Sequence, residues 1–258
     1  NRMLYLLTFL ACIGGLLFGY DTGIISGALV IIDNDFDLNN LDKSLIVSIT
    51  VAGAFTASIF AGSIGDKYGR KPIVIASSVA FILGAILMAS ANELSVLLMG
   101  RFIVGVGVGS ASQIVPVYLA ECAPAKHRGT IVSCVNVCVT SGQVIACVVA
   151  ALLENVDGGW RYMLGIAAIP ATIQLVGFTF FIPESPRFLL QNGNIDSGTS
   201  ALLWLRQKLD VRNEVKEILK SIREDDELHF SNSNLNIQVG VISANTNTST
   251  LENFVIGP

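Results

Sequence analysis

Leu4–Ile32 reads LYLLTFLACIGGLLFGYDTGIISGALVII, an apolar stretch with one charge in it, Asp21. It exceeds the ~20 residues a helix needs to cross a bilayer. It also exceeds the apolar core of a signal peptide, about 7–15 residues. A second stretch, LSVLLMGRFIVGVGVGSAS at 94–112, is interrupted in the same way by Arg101. A lone ionised side chain at mid-bilayer depth costs at least ~2.5–3.5 kcal/mol on insertion scales. Two such residues of opposite sign point to mutual pairing, and a protonatable carboxylate in a membrane points to a proton site. The pair reads equally as a clamp that only fastens helices together.

The composition around these stretches agrees with a membrane protein. Of 258 residues, 52% are hydrophobic and only 14% charged, against about 25% charged in a soluble domain. The apolar residues concentrate before Leu190 in six runs: Leu4–Ile32, Ser44–Ile64, Pro72–Ala91, Leu94–Tyr118, Gly129–Leu153 and Tyr162–Ile182. The expected fold is therefore an all-α membrane protein with six transmembrane helices, residues 1–190. A cytoplasmic helical linker is expected over 191–228, with short helices at Ala201–Lys208 and Val211–Ile222. An Asn/Ser/Thr-rich tail over 229–258 reads as disordered. The start at Asn1 rather than Met fits a fragment or a processed form.

Charge is read loop by loop, so the net charge of −4 carries little. Lys67, Arg70, Lys71, Lys126, Arg128 and Arg187 gather on one side of the spans. Asp33, Asp35, Asp37, Asp42, Glu93, Glu154 and Asp157 dominate the other. The basic side is expected to be cytoplasmic, which puts both termini there. Gly53, Ala57, Ala61 and Gly65 recur every four residues, as do Gly105 and Gly109. Small residues at that spacing let helix backbones approach in lipid.

The loops on the basic side interleave acids with bases. GSIGDKYGRK (62–71), PVYLAECAPAKHRG (116–129) and PESPRFLL (183–190) supply Asp66, Arg70, Lys71, Glu121, Arg128, Glu184 and Arg187. These are the expected members of an ion-pair network, with Glu121–Arg128 and Glu184–Arg187 as pairs. Orienting charges alone would explain the bases but not the acids. No catalytic constellation, phosphate-binding Gly-rich loop or metal pattern is present in the sequence. The expectation is a protein that is not an enzyme, with no cofactor, no metal and no nucleic-acid partner.

FGYDTGIISGAL, GDKYGRK, GRFIVGVGVG, PVYLAE and PESPRFLL, in this order and spacing, resemble the sugar porters of the major facilitator superfamily. The likeness covers the N-terminal half of that family, Leu4 to about Leu190, and extends more weakly to about Leu228. SGQ at 141–143 and GWRYMLGIAAIPATIQ at 159–174 resemble the proton–myo-inositol cotransporters among them. The resemblance implies alternating access between two six-helix halves, with the substrate gripped between them. It implies symport of a proton with a neutral polyol or sugar, foremost myo-inositol, across the plasma membrane. Asp21 would take the proton and Arg101 would pair with it. Asn136 and Gln143, spaced i, i+7 on the fifth span, would contact the substrate; an interhelical hydrogen bond is their other reading. Hexose carriers of the family more often have glutamine at the position of Asn136, so a hexose transporter, symporter or uniporter, is the alternative. The implied partners are the substrate, protons, the bilayer, and a C-terminal half or a full-length carrier. A non-transporting half that binds or regulates such a carrier is a further alternative.

Overall fold

The computed structural model describes residues 2–36, 38–207, 210–225 and 227. The expected tail at 229–258 lies outside them. The chain divides into two units, Asn1–Leu209 and Asp210–Pro258. In the second, residues 212–225 are helical.

The first unit is all helical. Its elements are α1 (Arg2–Phe36), α2 (Asn40–Tyr68), α3 (Arg70–Ala89), α4 (Leu94–Cys122), α5 (Arg128–Leu153), α6 (Gly159–Gly165), α7 (Ala168–Phe180), α8 (Pro186–Gln191) and α9 (Ile195–Arg206). Six candidate spans result, the sixth being α6 and α7 together. The sequence suggested one continuous sixth helix. It breaks at Ile166–Ala167 because Pro170 has no N–H to give the Ile166 carbonyl, four residues back. That carbonyl instead accepts from the Ile169 N–H at 3.0 Å. α2 and α3 are parted only by Gly69, whose φ of 102° lies where glycine is favoured.

Two backbone-to-backbone seams organise the bundle. α1 lies against α5, and a Cβ at Gly19 would run into the Val139 carbonyl. α2 lies against α4, where a Cβ at Gly105 would run into the Thr50 carbonyl. α3 packs on α4 and α7. Trp160, Tyr118, Phe81 and Phe178 fill the space between helices. α1 and α4 are the better enclosed spans, while α2 and α5 leave most of their surface open. The two interrupting charges sit on α1 and α4, the helices best able to hide them.

Candidate functional site

Asp21 and Arg101 meet inside the bundle. Arg101 Nη1 donates to Asp21 Oδ1 at 2.6 Å, and the residues are 2% (Arg101) and 6% (Asp21) exposed. Arg101 Nε also donates to the Ile46 carbonyl of α2, at 3.4 Å. Three spans therefore converge on one guanidinium. Next to Asp21, the Tyr20 hydroxyl donates to the Met163 carbonyl of α6 at 2.7 Å, which fixes the rotation of α1 at this level. Two unit charges 4 Å apart attract by about 4 kcal/mol at an effective dielectric of ~20. Desolvating each ion costs several kcal/mol. Such a pair is close to balance, and removing either charge leaves the other buried and unmatched.

Asn136 and Gln143 lie on α5 beside its seam with α1. Their neighbours Val135 and Gly142 make the contact: a Cβ at Gly15 would sit 2.9 Å from the Val135 carbonyl, and one at Gly142 would run into the Leu16 carbonyl. One residue further round, both amide side chains are exposed and form no hydrogen bond among the described residues, so the interhelical bond is not made. Gln143 stands level with the ion pair, since a Cβ at Gly23 would be 3.1 Å from its carbonyl.

A second charged cluster closes one end of the bundle. Arg70, buried at the start of α3, reaches Asp66 Oδ1 and Glu121 Oε1, each at 3.0 Å. It also donates to the Gly65 carbonyl at 2.8 Å and lies over the Phe188 ring, 5.4 Å from its centre. Glu184 Oε1 accepts the first backbone N–H groups of α3, from Arg70 at 3.0 Å and Lys71 at 3.1 Å. A carboxylate at a helix N-terminus is favoured by the free N–H groups and the helix dipole. Gly69 is required here, because a Cβ would collide with the Glu184 carboxylate. The Lys71 ammonium caps the Thr179 carbonyl at 3.3 Å.

The cluster joins Asp66, Arg70, Lys71, Glu121 and Glu184, with Arg187 close enough to act on the charge of Glu121, but Glu121 does not take the partner the sequence suggested. Glu121 takes Arg70 rather than Arg128. Arg128 begins α5 exposed, with no ion pair among the described residues, because α4 ends before it and the intervening turn carries it away. Glu184 is held by main-chain donors, and Arg187 stands half-buried in α8. Residues not foreseen complete the cluster. Ser185 donates to Glu121 Oε2 at 2.5 Å while capping α8, the Tyr118 hydroxyl donates to the Pro183 carbonyl at 2.6 Å, and Arg206 donates to the Cys122 carbonyl at 2.8 Å. Ser before Pro186 is an N-cap signal; a side chain seeking a distant carbonyl leaves no such mark. Gln174 of α7 is fully buried. It accepts from the Ser78 hydroxyl at 3.1 Å and donates to the Leu10 carbonyl at 3.4 Å.

The family profile described as "Sugar (and other) transporter" matches residues 7–251. The chain is 39% identical over 223 residues to the proton myo-inositol cotransporter of Homo sapiens, covering 86% of this chain and 34% of that protein. It is 39% identical over 225 residues to the glucose transporter GlcP of Staphylococcus epidermidis, covering 87% and 48%. Its fold is similar to that of the xylose transporter XylE from E. coli in a partially occluded inward-open conformation. The TM-score is 0.78 at 27% identity, over 86% of this chain and 58% of that one. The six spans match the N-terminal half of that fold. The chain spans about a third to a half of the length of these curated relatives.

Proposed function

The chain belongs to the sugar (and other) transporter family, and from that premise we propose that it forms the N-terminal half of a proton-coupled symporter for a neutral polyol, myo-inositol foremost. It is a multi-pass integral membrane protein, not an enzyme. The observation that carries the reading is the Asp21–Arg101 pair, a carboxylate and a guanidinium with hardly any solvent contact inside membrane-spanning helices. Asp21 takes a proton from outside, its charge is lost, and Arg101 is released. The half can then rock against its partner half, discharge substrate and proton inside, and reset when the pair re-forms. Asn136 and Gln143 offer amide donors and acceptors to substrate hydroxyls from the open side of α5. The cluster around Arg70 faces the cytoplasm, both termini lie there, and the membrane is the plasma membrane.

The driving force suffices for accumulation. One proton crossing 100 mV gains about 2.3 kcal/mol, and one pH unit adds about 1.4 kcal/mol. The sum, about 3.7 kcal/mol, supports roughly several-hundredfold accumulation of an uncharged solute. A second reading, a hexose carrier, is favoured by the equal 39% identity to a glucose transporter. Both are tested by reconstituting a complete carrier that contains this half in liposomes under an inward proton gradient. Labelled myo-inositol should accumulate, and a tenfold excess of glucose should compete poorly. Strong competition by glucose would move the substrate to the hexoses, and uptake indifferent to the gradient would overturn proton coupling.

A further inference from the structure

Thr50 breaks a habit that seven other helical threonines of this bundle keep. Thr8, Thr22, Thr56, Thr140, Thr172, Thr179 and Thr199 each donate their hydroxyl to the carbonyl four residues back. That bond is the default for a threonine within a helix. The hydroxyl of Thr50 is buried without a hydrogen-bond partner among the described residues, and the residue is only 8% exposed. Its carbonyl four residues back belongs to Ile46, and that carbonyl is already taken by Arg101 Nε. The two donors reach it from different helices because α2 and α4 touch here, with the Thr50 carbonyl lying where a Cβ of Gly105 would be. No side chain at Gly105, one turn beyond Arg101, stands between them.

We propose that Thr50 is a positioning residue for the Asp21–Arg101 pair: its hydroxyl closes on the Ile46 carbonyl when Arg101 withdraws, and so favours the opened pair. This rests on the reading of Asp21 as the proton site and adds the group that answers Arg101 from α2. In the paired state the hydroxyl is buried and unsatisfied, which is unfavourable. In the opened state it makes the ordinary helical bond to the Ile46 carbonyl, beside the Thr50 backbone N–H that this carbonyl accepts within α2 in either state. Both effects push the same way. A net hydrogen bond of ordinary strength shifts the ratio of open to paired forms by about 2–13-fold. The other groups around the pair are silent in this exchange. Tyr20 is engaged with Met163, α5 faces α1 with Val139, Gly142 and Ala146, and α2 carries no ionisable residue between Lys43 and Asp66.

The test is thermal unfolding of the chain in nanodiscs, with Thr50→Val and Thr50→Ser placed in two backgrounds. One background is the native pair. The other is Asp21→Asn with Arg101→Met, which removes both charges and the rival for the Ile46 carbonyl. Thr50→Val should leave the native background unchanged or raise its unfolding temperature, since it removes an unsatisfied hydroxyl. In the neutral background it should lower the temperature by about 2–4 °C, the shift expected for one hydrogen bond in a chain of this size. Thr50→Ser should behave as threonine in both. If the double variant does not fold, Asp21→Leu with Arg101→Met, the fully apolar replacement, serves in its place, because it too removes the rival donor. Equal shifts in the two backgrounds, or failure of serine to restore the threonine behaviour, would overturn the proposal. The charge states are fixed by mutation, so the result does not depend on proton coupling. A carrier indifferent to a proton gradient would sink that coupling and leave the exchange at Ile46 standing.

Discussion

Arg101 and Arg70 are both buried guanidinium groups in one small bundle, yet they are held in opposite styles. Arg101 has one carboxylate and one carbonyl, drawn from two other helices. Arg70 has two carboxylates, the Gly65 carbonyl and an aromatic face, while its own N–H is fixed by Glu184. A charge with a single charged partner can be released by neutralising that partner. A charge with several cannot be released by any one event. The first arrangement suits a group that changes state, the second a clamp that sets where α2, α3, α4 and α8 meet.

The largest expected effect falls on the singly held pair. Asp21→Asn in a complete carrier should reduce proton-driven accumulation from several-hundredfold to none while leaving substrate exchange across the membrane. Flux assays with and without an imposed gradient measure both, and accumulation at the wild-type level would remove Asp21 from the proton path. The multiply held charge should instead fail as structure. Arg70→Met leaves Glu121 buried without its cation, and a broken buried pair costs about 3–5 kcal/mol. Detergent-solubilised chain should lose folded monomer on size-exclusion chromatography, and an unchanged profile would show that the cluster is not a clamp.

Removing whole charge sets sharpens the contrast. Replacing a buried pair by apolar residues is often neutral or stabilising. Asp21→Asn with Arg101→Met should therefore fold within about 1 kcal/mol of the native chain by urea titration in mild detergent. Neutralising Asp66, Arg70 and Glu121 together should not, because the Gly65 carbonyl loses its Arg70 donor and keeps only the Gly69 N–H. Smaller again, Gln143→Leu should weaken substrate binding about tenfold, the worth of one hydrogen bond in a polar site, with no change in unfolding temperature. Calorimetry on a complete carrier reads the first and a melt the second. Least of all, Arg128→Ala should move stability by under about 0.5 kcal/mol, since Arg128 is exposed and outside the cluster; a larger loss would restore it to the clamp.

Much of this was legible in the sequence, and the parts that were not share a cause. Apolar run length marks spans directly, so all six were found, and two charges inside such runs announce themselves by their cost. Asp66, Arg70 and Glu121 were found as a group because acids interleaved with bases at one membrane face need partners. The pairing within the group was not legible. Glu121 lies closer in sequence to Arg128 than to Arg70, and only the packing of α3 on α4 reverses that preference. Pro170 stood in plain view, but a proline in a membrane helix can be accommodated without a break, as Pro116 is within α4. Tyr118 and Arg206 act through main-chain carbonyls, which every residue possesses and no sequence pattern marks.

The reach of the central ion pair along the chain has a consequence for biogenesis. Asp21 and Arg101 are 80 residues apart, and α1 is made first. At about 5–20 residues per second, roughly 4–16 s of synthesis separate the two side chains. Throughout that interval the carboxylate has no guanidinium to meet, and α1 must tolerate its cost from its own apolar length or wait in a protected setting at the insertion machinery. Val139, the backbone neighbour of Gly19, is made later still. The helix carrying the proposed proton site is therefore a guest in the membrane until α4 and α5 arrive.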